Sequence, residues 1–354
     1  MIEKYYTVAG MMSGTSRDGI DLILCRFHKD HEKWHYHIRK AETVEYSTDW
    51  KSKLNEAANL DAGSFLLLHN EYGVYIGEQV KNFLGSAVSD VDLVASHGHT
   101  IFHQPDRRLT FQLGSGAAIA ASCRITTISD FRTLDVALGG QGAPLVPIGD
   151  ELLFNNYQFC LNLGGFANVS NLKNNTRIAC DICPVNIVVN NLALLTGHEF
   201  DNKGLMGSRG KINPELVQEL NALGFYAKPA PKSLGREWVE SSFFPVLANY
   251  KLPTEDLIRC VYEHIAIQIS NYLNHYETGT VLVTGGGAFN SFLIKLIQQK
   301  SKSSLIIPEG QLVKFKEALI FAFLGLLRYL TEINCLASVT GARSNSSSGI
   351  VYRI

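Results

Sequence analysis

The sequence of 354 residues lacks several features that would place it in a specialised class of protein. Its net charge is −1 at pH 7, so it has no broad positive field that would attract nucleic acid or an anionic membrane. No apolar run approaches the roughly 20 residues that a membrane helix needs, and the start of the chain does not resemble a signal peptide. We therefore expect a soluble cytoplasmic protein whose partners include neither nucleic acid nor membrane.

Cysteine is scarce, and its seven residues are an odd number. Most lie in apolar contexts, where cysteine behaves as a small core residue, and a chain of this size without a secretory signal is not expected to hold a disulfide framework. Only Cys180 and Cys183 have C-x-x-C spacing, and no second pair completes a zinc site. Pro184 follows at once, whereas a redox pair is expected to open a helix. Core packing is the expected role, with a zinc or redox site as the alternative.

The composition, 46% hydrophobic and 18% charged, is that of an ordinary folded protein, and the length allows two domains. The first half predicts three strands in YYTVAGMM, IDLILCRFH and WHYHIRKAETVEY. Helical patterns over residues 48–60 and 65–83 follow, and then the apolar strand VDLVASHGHT. The second half repeats this order with FCLNL, FANVSNL, TRIACDI, a helix over 254–275 and the strand TVLVT.

This repeat of architecture predicts an α/β fold with two duplicated lobes around a central cleft, where small-molecule sites preferentially form. We expect lobe I over residues 1–145 and lobe II over 146–317. Residues 201–251 have no counterpart in the first half and are an expected insertion. Residues 318–354 are expected to form a C-terminal helix and tail that pack back toward lobe I.

The stretch SGTSRDGID is a candidate phosphate-binding turn between two strands. Its glycines allow a phosphate to approach the backbone N–H groups, and its hydroxyl side chains add donors. Asp18 is a candidate for holding Mg²⁺ through water. A simple hairpin turn explains the same composition, because Gly, Ser and Asp dominate turns. The candidate phosphate-binding residues are Ser13, Gly14, Thr15, Ser16, Asp18, Gly19 and Asp21.

Two glycine clusters occupy equivalent strand ends in the second half. NLGG provides a facing candidate for phosphate binding through Asn162, Gly164 and Gly165. TGGGAFN precedes a predicted helix, and its glycines permit close contact with a flat ligand such as adenine, through Gly285, Gly286, Gly287 and Asn290. A tight strand-to-helix connection is the alternative. Neither cluster is a Walker A loop or a dinucleotide fingerprint.

The middle of the chain is dense in polar residues. The spacing of His97, His99 and His103 is a weak metal signal without nearby carboxylates. Arg132 with Asp130 and Asp135 predicts a hydrogen-bonded clamp for a sugar or carboxylate, with an internal salt bridge as the alternative.

Two further candidates lie in the second half. In KSLGREW, Lys232 or Arg236 is a candidate contact for an anionic group, unless the segment is simply a solvated loop. Glu317 lies in an apolar helix predicted to start near Phe315. Its carboxylate either complements the helix dipole or binds sugar hydroxyls.

Together these motifs resemble the anhydro-N-acetylmuramic acid kinases of the sugar kinase/Hsp70/actin superfamily. The resemblance spans the chain from about residue 6 and is carried by MSGTSRDGID, SHGHTIFHQP, DFRTLDVALGGQGAPLVP, NLGGFANVS, KSLGRE, GGGAFN and SVTGA. It implies actin/hexokinase-like (RNase H-like) lobes and a homodimer. It also implies a reaction in which ATP·Mg²⁺ phosphorylates O6 of 1,6-anhydro-N-acetylmuramic acid while water opens the anhydro bridge, a step in cell-wall sugar recycling.

The resemblance also assigns roles to residues. The segment CDICPVN matches the family's D-T-G-P-G-N, which makes Asp181 the expected base for the attacking water. The expected sugar-binding residues are Ser96, His97, Arg132, Asn186 and Glu317. Ile182, Cys183 and Val185 replace a threonine and two glycines, His99 replaces a glutamine, and Arg17 replaces a leucine. The alternatives are therefore weak catalysis, another anhydro sugar, or a nucleotide-binding module.

Overall fold

The computed structural model describes residues 4–14, 19–230 and 232–354. It divides into two compact units: unit 1 comprises Met1–Phe154 and Phe315–Ile354, and unit 2 comprises Asn155–Lys314. The strands are β1 (Tyr5–Ser13), β2 (Gly19–Asp30), β3 (Lys33–Glu45), β4 (Leu93–Gln104), β5 (Leu109–Leu113), β6 (Thr127–Ser129), β7 (Phe159–Leu163), β8 (Phe166–Lys173), β9 (Thr176–Pro184), β10 (Thr280–Thr284), β11 (Ser304–Ile306) and β12 (Ile350–Tyr352).

The helices follow the same chain order. They are α1 (Thr48–Glu56), α2 (Ala62–Leu84), α3 (Gly116–Cys123), α4 (Thr133–Ala137), α5 (Pro147–Leu153), α6 (Asn186–Leu194), α7 (Leu205–Arg209), α8 (Pro214–Asn221), α9 (Arg236–Trp238), α10 (Phe244–Ala248), α11 (Thr254–Asn274), α12 (Ser291–Lys300), α13 (Gly310–Tyr329) and α14 (Ala337–Thr340). None of the described helices is long and apolar enough to cross a membrane.

The two sheets have the same five-strand topology. In unit 1 the order is β3-β2-β1-β4-β6, extended by β12 beyond β6 and by β5, which pairs with β4. In unit 2 the order is β9-β8-β7-β10-β11. In both, the first three strands are antiparallel, and the fourth and fifth run parallel to the first. The α/β class and the predicted repeat of architecture are therefore confirmed.

Local sequence accounts for the long helices of unit 1. Helix α2 begins after Asp61, whose carboxylate accepts from the backbone N–H groups of Gly63 and Ser64, as an N-cap residue does. Its Leu68, Tyr72, Ile76 and Val80 recur at spacing of four and form a buried stripe that packs on one face of the sheet. Helix α13 is apolar along most of its length from Phe315 onward and is buried there.

Helix α11 provides the main packing surface of unit 2. It begins after Pro253 with Glu255 and Asp256 in its first turn, where carboxylates favour the helix dipole. Its buried face joins the strands of the second sheet in one hydrophobic core. The segment 201–251 precedes it and contains α7 to α10.

Candidate active site

Unit 1 carries the first predicted phosphate turn, between β1 and β2. These strands pair up to Ser13 and Ile20, so the turn leaves the sheet at Ser13 and returns at Gly19. A Cβ on Gly19 would lie 2.4 Å from the carbonyl oxygen of Val44, so packing against β3 already requires glycine there. Gly14 is the last residue described before the turn. Predictions for Thr15, Ser16 and Asp18 lie outside the described residues.

Ser13 is buried, and its hydroxyl is engaged inside the unit. Its Oγ lies 2.6 Å from Oη of Tyr46 and 2.8 Å from Nδ1 of His99. These contacts anchor the Ser13 side chain inside unit 1, and its donation to phosphate stays a prediction.

His97, in the middle of β4, and Arg132, just before α4, form a hydrogen-bonded pair. Nδ1 of His97 lies 2.9 Å from the carbonyl oxygen of Gly98, which only accepts. Nε2 lies 3.0 Å from Nε and 2.9 Å from Nη2 of Arg132, which only donate. His97 is therefore neutral, with its proton on Nδ1. Burial is the main cause that holds its pKa well below the usual range, and the positive charge of Arg132 adds to the effect.

The other hydrogen bonds of Arg132 show that its partners are not the predicted Asp130 and Asp135. Its Nη1 donates to the carbonyl oxygen of Gly142 at 2.6 Å, and burial lowers its pKa to about 10, so it stays cationic at neutral pH. Asp135 instead accepts from the N–H of Gly142 at 2.7 Å and from Oγ1 of Thr340. Asp130 accepts from the N–H of Thr133. Arg132 is therefore oriented by a histidine and a carbonyl.

Ser96 does not present its side chain to a ligand. The residue is fully buried, and its hydroxyl points to the sulfur of Met11 at 3.7 Å. Alternation along β4 places Ser96 and His97 on opposite faces, and both side chains are buried, so their sugar contacts stay predictions. Gly98 has φ +74°, and a Cβ there would lie 2.5 Å from the carbonyl oxygen of Leu113, so the chain bends after His97 at a position that only glycine tolerates.

Glu317 lies well inside α13, which begins at Gly310 and not near Phe315. The interpretation of its carboxylate as a dipole partner at the helix start is therefore wrong. Its side chain reaches solvent. Desolvation by the surrounding protein nevertheless raises its pKa, and the negative charge of Asp21 raises it further. The positive charges of Arg132 and Lys316 act in the opposite direction and lower it. Asp21 also accepts from Oγ1 of Thr43 at 2.6 Å. The electrostatic coupling indicates that Glu317, Arg132 and Asp21 share one polar region of unit 1.

A cavity of about 330 Å³ borders His97 in unit 1. The ring of His69 lies in its wall and accepts from the N–H of Gly114 through Nδ1 at 3.1 Å, so its Nε2 is a donor. Aromatic and hydrogen-bonding groups alternate around it, which suits a small polar group with an apolar part. The lining is His69, His97, Thr110, Phe111, Gln112, Gly114, Gly116, Ser129, Asp130, Thr133, Ile350 and Tyr352.

Unit 2 brings the second and third glycine clusters together. Gly285 has φ +83°, and a Cβ there would lie 2.5 Å from Oδ1 of Asn162. A Cβ on Gly287 would lie 2.8 Å from Cβ of Leu163. The two predicted nucleotide-binding turns are thus in direct contact within one unit, and their glycines allow that approach.

Other glycines in these turns are not required by packing. An added Cβ would meet nothing nearer than 3.4 Å at Gly164, 3.9 Å at Gly165 and 3.6 Å at Gly286. Gly165 and Gly286 are also exposed. Backbone at these positions is open to a ligand, which fits the predicted contacts.

Two asparagines frame this region. Nδ2 of Asn186 donates to the carbonyl oxygen of Leu163 at 3.3 Å, and its backbone N–H donates to Gly164 at 3.2 Å. Asn186 therefore lies with the glycine turns of unit 2. Asn290 caps α12 by accepting from the N–H of Leu293 at 3.0 Å and donates to Oη of Tyr262 at 2.7 Å. Both polar atoms of its side chain therefore have partners within unit 2, and its contact with a nucleotide stays a prediction.

Asp181 lies on β9, at a break in the strand pairing. The register with β8 shifts so that Asp181 pairs with Asn168 while Cys183 pairs with Ala167, which leaves Ile182 as the extra residue of a β-bulge. Bulges are common beside active sites because they change the direction of a side chain. The Asp181 side chain is half-buried, and burial raises its pKa, opposed by a backbone hydrogen bond from Leu234.

The KSLGREW segment holds Asp181 from outside the sheet. The N–H of Asp181 donates to the carbonyl oxygen of Lys232 at 2.9 Å, and the N–H of Leu234 donates to Oδ2 of Asp181 at 2.8 Å. Nζ of Lys232 donates to the carbonyl of Phe225 at 3.3 Å and lies over its ring. Arg236 is exposed and pairs with Glu240. Sequence reasoning missed Leu234 because a backbone donor leaves no signal in residue type.

The two cysteines beside Asp181 are core residues. Both are buried, and burial raises the pKa of Cys180 to about 11 and that of Cys183 further. Thiols in that state are poor nucleophiles and poor metal ligands. Within residues 4–14, 19–230 and 232–354, no three His, Cys, Asp or Glu side chains cluster as a metal site. The geometry disfavours the zinc or redox alternative.

Backbone N–H groups on open turns and a held carboxylate are what a phosphoryl-transfer enzyme needs, because positioning and electrostatics supply most of its catalysis. Comparison with known proteins places the chain in that class. Residues 6–354 match the model described as "Anhydro-N-acetylmuramic acid kinase". The chain belongs to the anhydro-N-acetylmuramic acid kinase family, a kinase family, which implies ATP as a substrate.

Individual relatives are similar in sequence over nearly the whole chain. The anhydro-N-acetylmuramic acid kinase of Francisella tularensis subsp. novicida is 31% identical over 97% of this chain and 97% of its own. That of Vibrio parahaemolyticus is 33% identical, with 97% of both chains covered. A solved structure, component A of the Acidaminococcus fermentans (R)-2-hydroxyglutaryl-CoA dehydratase, shows remote similarity: TM-score 0.47, 12% identity, and coverage of 90% of this chain and 97% of that one.

Proposed function

We propose that the protein uses ATP to convert 1,6-anhydro-N-acetylmuramic acid to N-acetylmuramic acid 6-phosphate, a step in the recycling of cell-wall sugars. The observation that carries the proposal is Asp181, a carboxylate held by the Leu234 N–H in the same unit as the open glycine turns. We also propose a cytoplasmic location, a homodimer, and functional lobes over residues 1–145 and 146–317 with residues 318–354 as a C-terminal helix and tail.

The reaction balances as one sugar, one ATP and one water giving one sugar phosphate and ADP. Asp181 takes a proton from water as the water oxygen bonds to the anomeric carbon. The bond from that carbon to O6 breaks, and its electron pair stays on O6. O6 then bonds to the γ-phosphorus as the bond to ADP breaks. Such a role for Asp181 requires the ionised carboxylate, and a raised pKa makes it a stronger base.

Nucleotide binding is proposed for the glycine turns. In unit 2, backbone at Gly164, Gly165 and Gly286 is open, and Asn162 lies against Gly285. In unit 1, backbone N–H groups of the SGTSRDGID turn are proposed to bind phosphate oxygens. Glycine allows phosphate to approach such groups closely.

Sugar binding is proposed for the polar region of unit 1. Arg132 is cationic and oriented by His97 and Gly142, and Glu317 reaches solvent. A guanidinium with a fixed direction suits a carboxylate, as on the lactyl group of muramic acid, and a carboxylate such as Glu317 suits sugar hydroxyls. The cavity beside His97 offers room for a polar substituent with an apolar part.

Mg²⁺ is proposed to accompany ATP, with Asp18 holding it through water. In the described part of unit 1, Asp21 and Glu317 are coupled through their charges, and carboxylate oxygens suit this hard cation. When bound, Mg²⁺ would offset the phosphate charge. Asp21 and Glu317 would then contribute to this polar region chiefly by orienting water and hydroxyl groups.

A second candidate function is a nucleotide-binding module with weak catalysis, or a kinase for another anhydro sugar. It is motivated by Ile182, Cys183 and Val185, which replace smaller residues of the family pattern. All three are buried in the hydrophobic core of unit 2. Their added bulk is directed into the core, which favours retained catalysis.

Product mass separates these candidates. The purified protein is incubated with ATP, Mg²⁺ and 1,6-anhydro-N-acetylmuramic acid, and a parallel sample omits ATP. We expect a product with the mass of the sugar plus water plus one phosphoryl group, formed only with ATP. If ATP raises the melting temperature but no sugar phosphate forms, the module is correct. If a different anhydro sugar is turned over much faster, the substrate assignment is wrong.

A further inference from the structure

A buried chain of hydrogen bonds lies behind the first phosphate turn. Oη of Tyr72 bonds to Oη of Tyr46, Tyr46 lies 2.6 Å from Oγ of Ser13, and Ser13 lies 2.8 Å from Nδ1 of His99. The four side chains are 0%, 4%, 2% and 2% exposed in that order. These hydrogen bonds join helix α2 to the end of β1 and the middle of β4.

The donor-to-acceptor direction of these hydrogen bonds follows from the number of protons available. Three hydroxyls supply three protons for three hydrogen bonds, and all are used when Tyr72 donates to Tyr46, Tyr46 to Ser13, and Ser13 to His99. The opposite direction would leave the Tyr72 proton without an acceptor that the structure describes, at a fully buried site where an unmade bond is costly. Nδ1 of His99 therefore accepts the proton of Ser13.

The register explains why His99 reaches Ser13. Ser13 pairs with His99 across β1 and β4, after a shift in the register between Met11 and Ser13. Gly98 has φ +74°, so the chain turns immediately before His99. These features place an acceptor nitrogen beside the last residue of β1, where the phosphate turn leaves the sheet.

We propose that His99 is a positioning residue for ATP: by accepting from Ser13, it fixes the backbone of Ser13 and Gly14 in the orientation that the phosphates require. This inference rests on the proposed phosphate contact of that turn. It also gives a function to Tyr46 and Tyr72, which otherwise only pack. Hydrogen bonds formed before the ligand arrives lower the cost of ordering the site on binding.

The test compares two replacements of His99. His99→Gln keeps an acceptor oxygen, and His99→Leu removes the acceptor while keeping similar bulk. We expect His99→Leu to weaken ATP binding roughly tenfold, because a buried hydroxyl loses its acceptor. We expect His99→Gln to stay within about threefold of wild type. The sugar KM should change little in either variant.

Tyr75→Phe is the matched control. The Tyr75 ring packs against Trp50 and Tyr46 in the same aromatic cluster, and its hydroxyl is not part of the chain. ATP affinity is measured by isothermal titration, the two KM values by steady-state kinetics, and folding by the melting temperature. Tyr75→Phe should match wild type in all of them.

The outcomes separate this inference from the proposed function. If wild type does not bind ATP, the proposed function fails and the role of His99 fails with it. If wild type binds ATP and His99→Leu binds it equally well, only the role of His99 is overturned. If His99→Leu does not fold, Tyr46→Phe takes its place, because it removes the donor to Ser13 and keeps the ring. ATP affinity in Tyr46→Phe should fall about threefold or more, and an unchanged affinity overturns the inference.

Discussion

The backbone N–H of Leu234 donates to Oδ2 of Asp181 at 2.8 Å, although the two residues are 53 positions apart. The bond fixes the carboxylate through Oδ2, so Oδ1 is the oxygen that we propose accepts a proton from the attacking water. It also favours the ionised form, against the burial that raises the pKa of Asp181. The net effect is a raised pKa, which suits the proposed role of Asp181 as a general base.

Replacing Asp181 by asparagine tests its role as base. Asparagine keeps an oxygen that accepts from Leu234, so the fold and nucleotide binding should survive. Turnover should fall by about 10²–10⁴-fold, the usual cost of losing a general base. The measurement pairs kcat with the Kd for ATP, and Asp90→Asn, an exposed position, is the control. Retained turnover would show that another group accepts the proton.

The pH dependence of kcat/KM should report the raised pKa of Asp181. The base works only when ionised, so activity is lost as pH falls through that pKa, which lies above the ordinary value of 3.8. We expect the acidic limb to have its midpoint above this ordinary value. Glu317→Gln should keep this limb, although its activity is lower, because the limb belongs to Asp181. A midpoint at or below the ordinary value would contradict the effect of burial on the carboxylate.

Replacing Arg132 by lysine tests the orientation of the sugar. Lysine keeps the charge but lacks the planar fork that bonds both to His97 and to the Gly142 carbonyl. We expect the sugar KM to rise about 10- to 100-fold, the range for losing a hydrogen bond to a charged group. The ATP KM should change little. Arg107→Lys, at an exposed position, is the control. Equal effects of Arg132→Lys on both KM values would contradict the proposal that Arg132 binds the sugar.

Lys316 and Asp150 form a buried ion pair, with Nζ 2.7 Å from Oδ1 and side chains 6% and 4% exposed. Lys316→Met removes the cation that pairs with a buried carboxylate, so we expect about 3–5 kcal/mol less stability in urea unfolding. Adding Asp150→Leu to this variant should recover most of the lost stability. Lys53→Met, in an exposed pair with Asp49, should cost less than about 1 kcal/mol. Equal losses in both pairs would refute the burial argument.

The sequence predicted the repeated strand order because hydrophobic alternation and glycine turns are local signals. It also predicted α2 and α11 closely, since each has a buried stripe at helical spacing. It missed that α13 begins at Gly310, because the segment before Phe315 is only partly apolar.

For the site, residue type indicated the chemistry but not the partners. Arg132 was expected to meet Asp130 and Asp135, and the structure gives it His97 and a carbonyl. Ser96 was expected to reach the sugar, but it lies in a part of β4 that is buried on both faces. Hydrogen bonds to the backbone, such as that from Leu234 to Asp181, depend on the fold and are not encoded in residue identity.

The most direct test of the account is the reaction in water enriched in oxygen-18. The protein is incubated with ATP, Mg²⁺ and 1,6-anhydro-N-acetylmuramic acid, and the sugar phosphate is fragmented by mass spectrometry at early times. The account predicts one heavy oxygen at the anomeric carbon and none in the phosphoryl group. A heavy phosphoryl group, or a phosphorylated sugar that keeps its anhydro bridge, would contradict it.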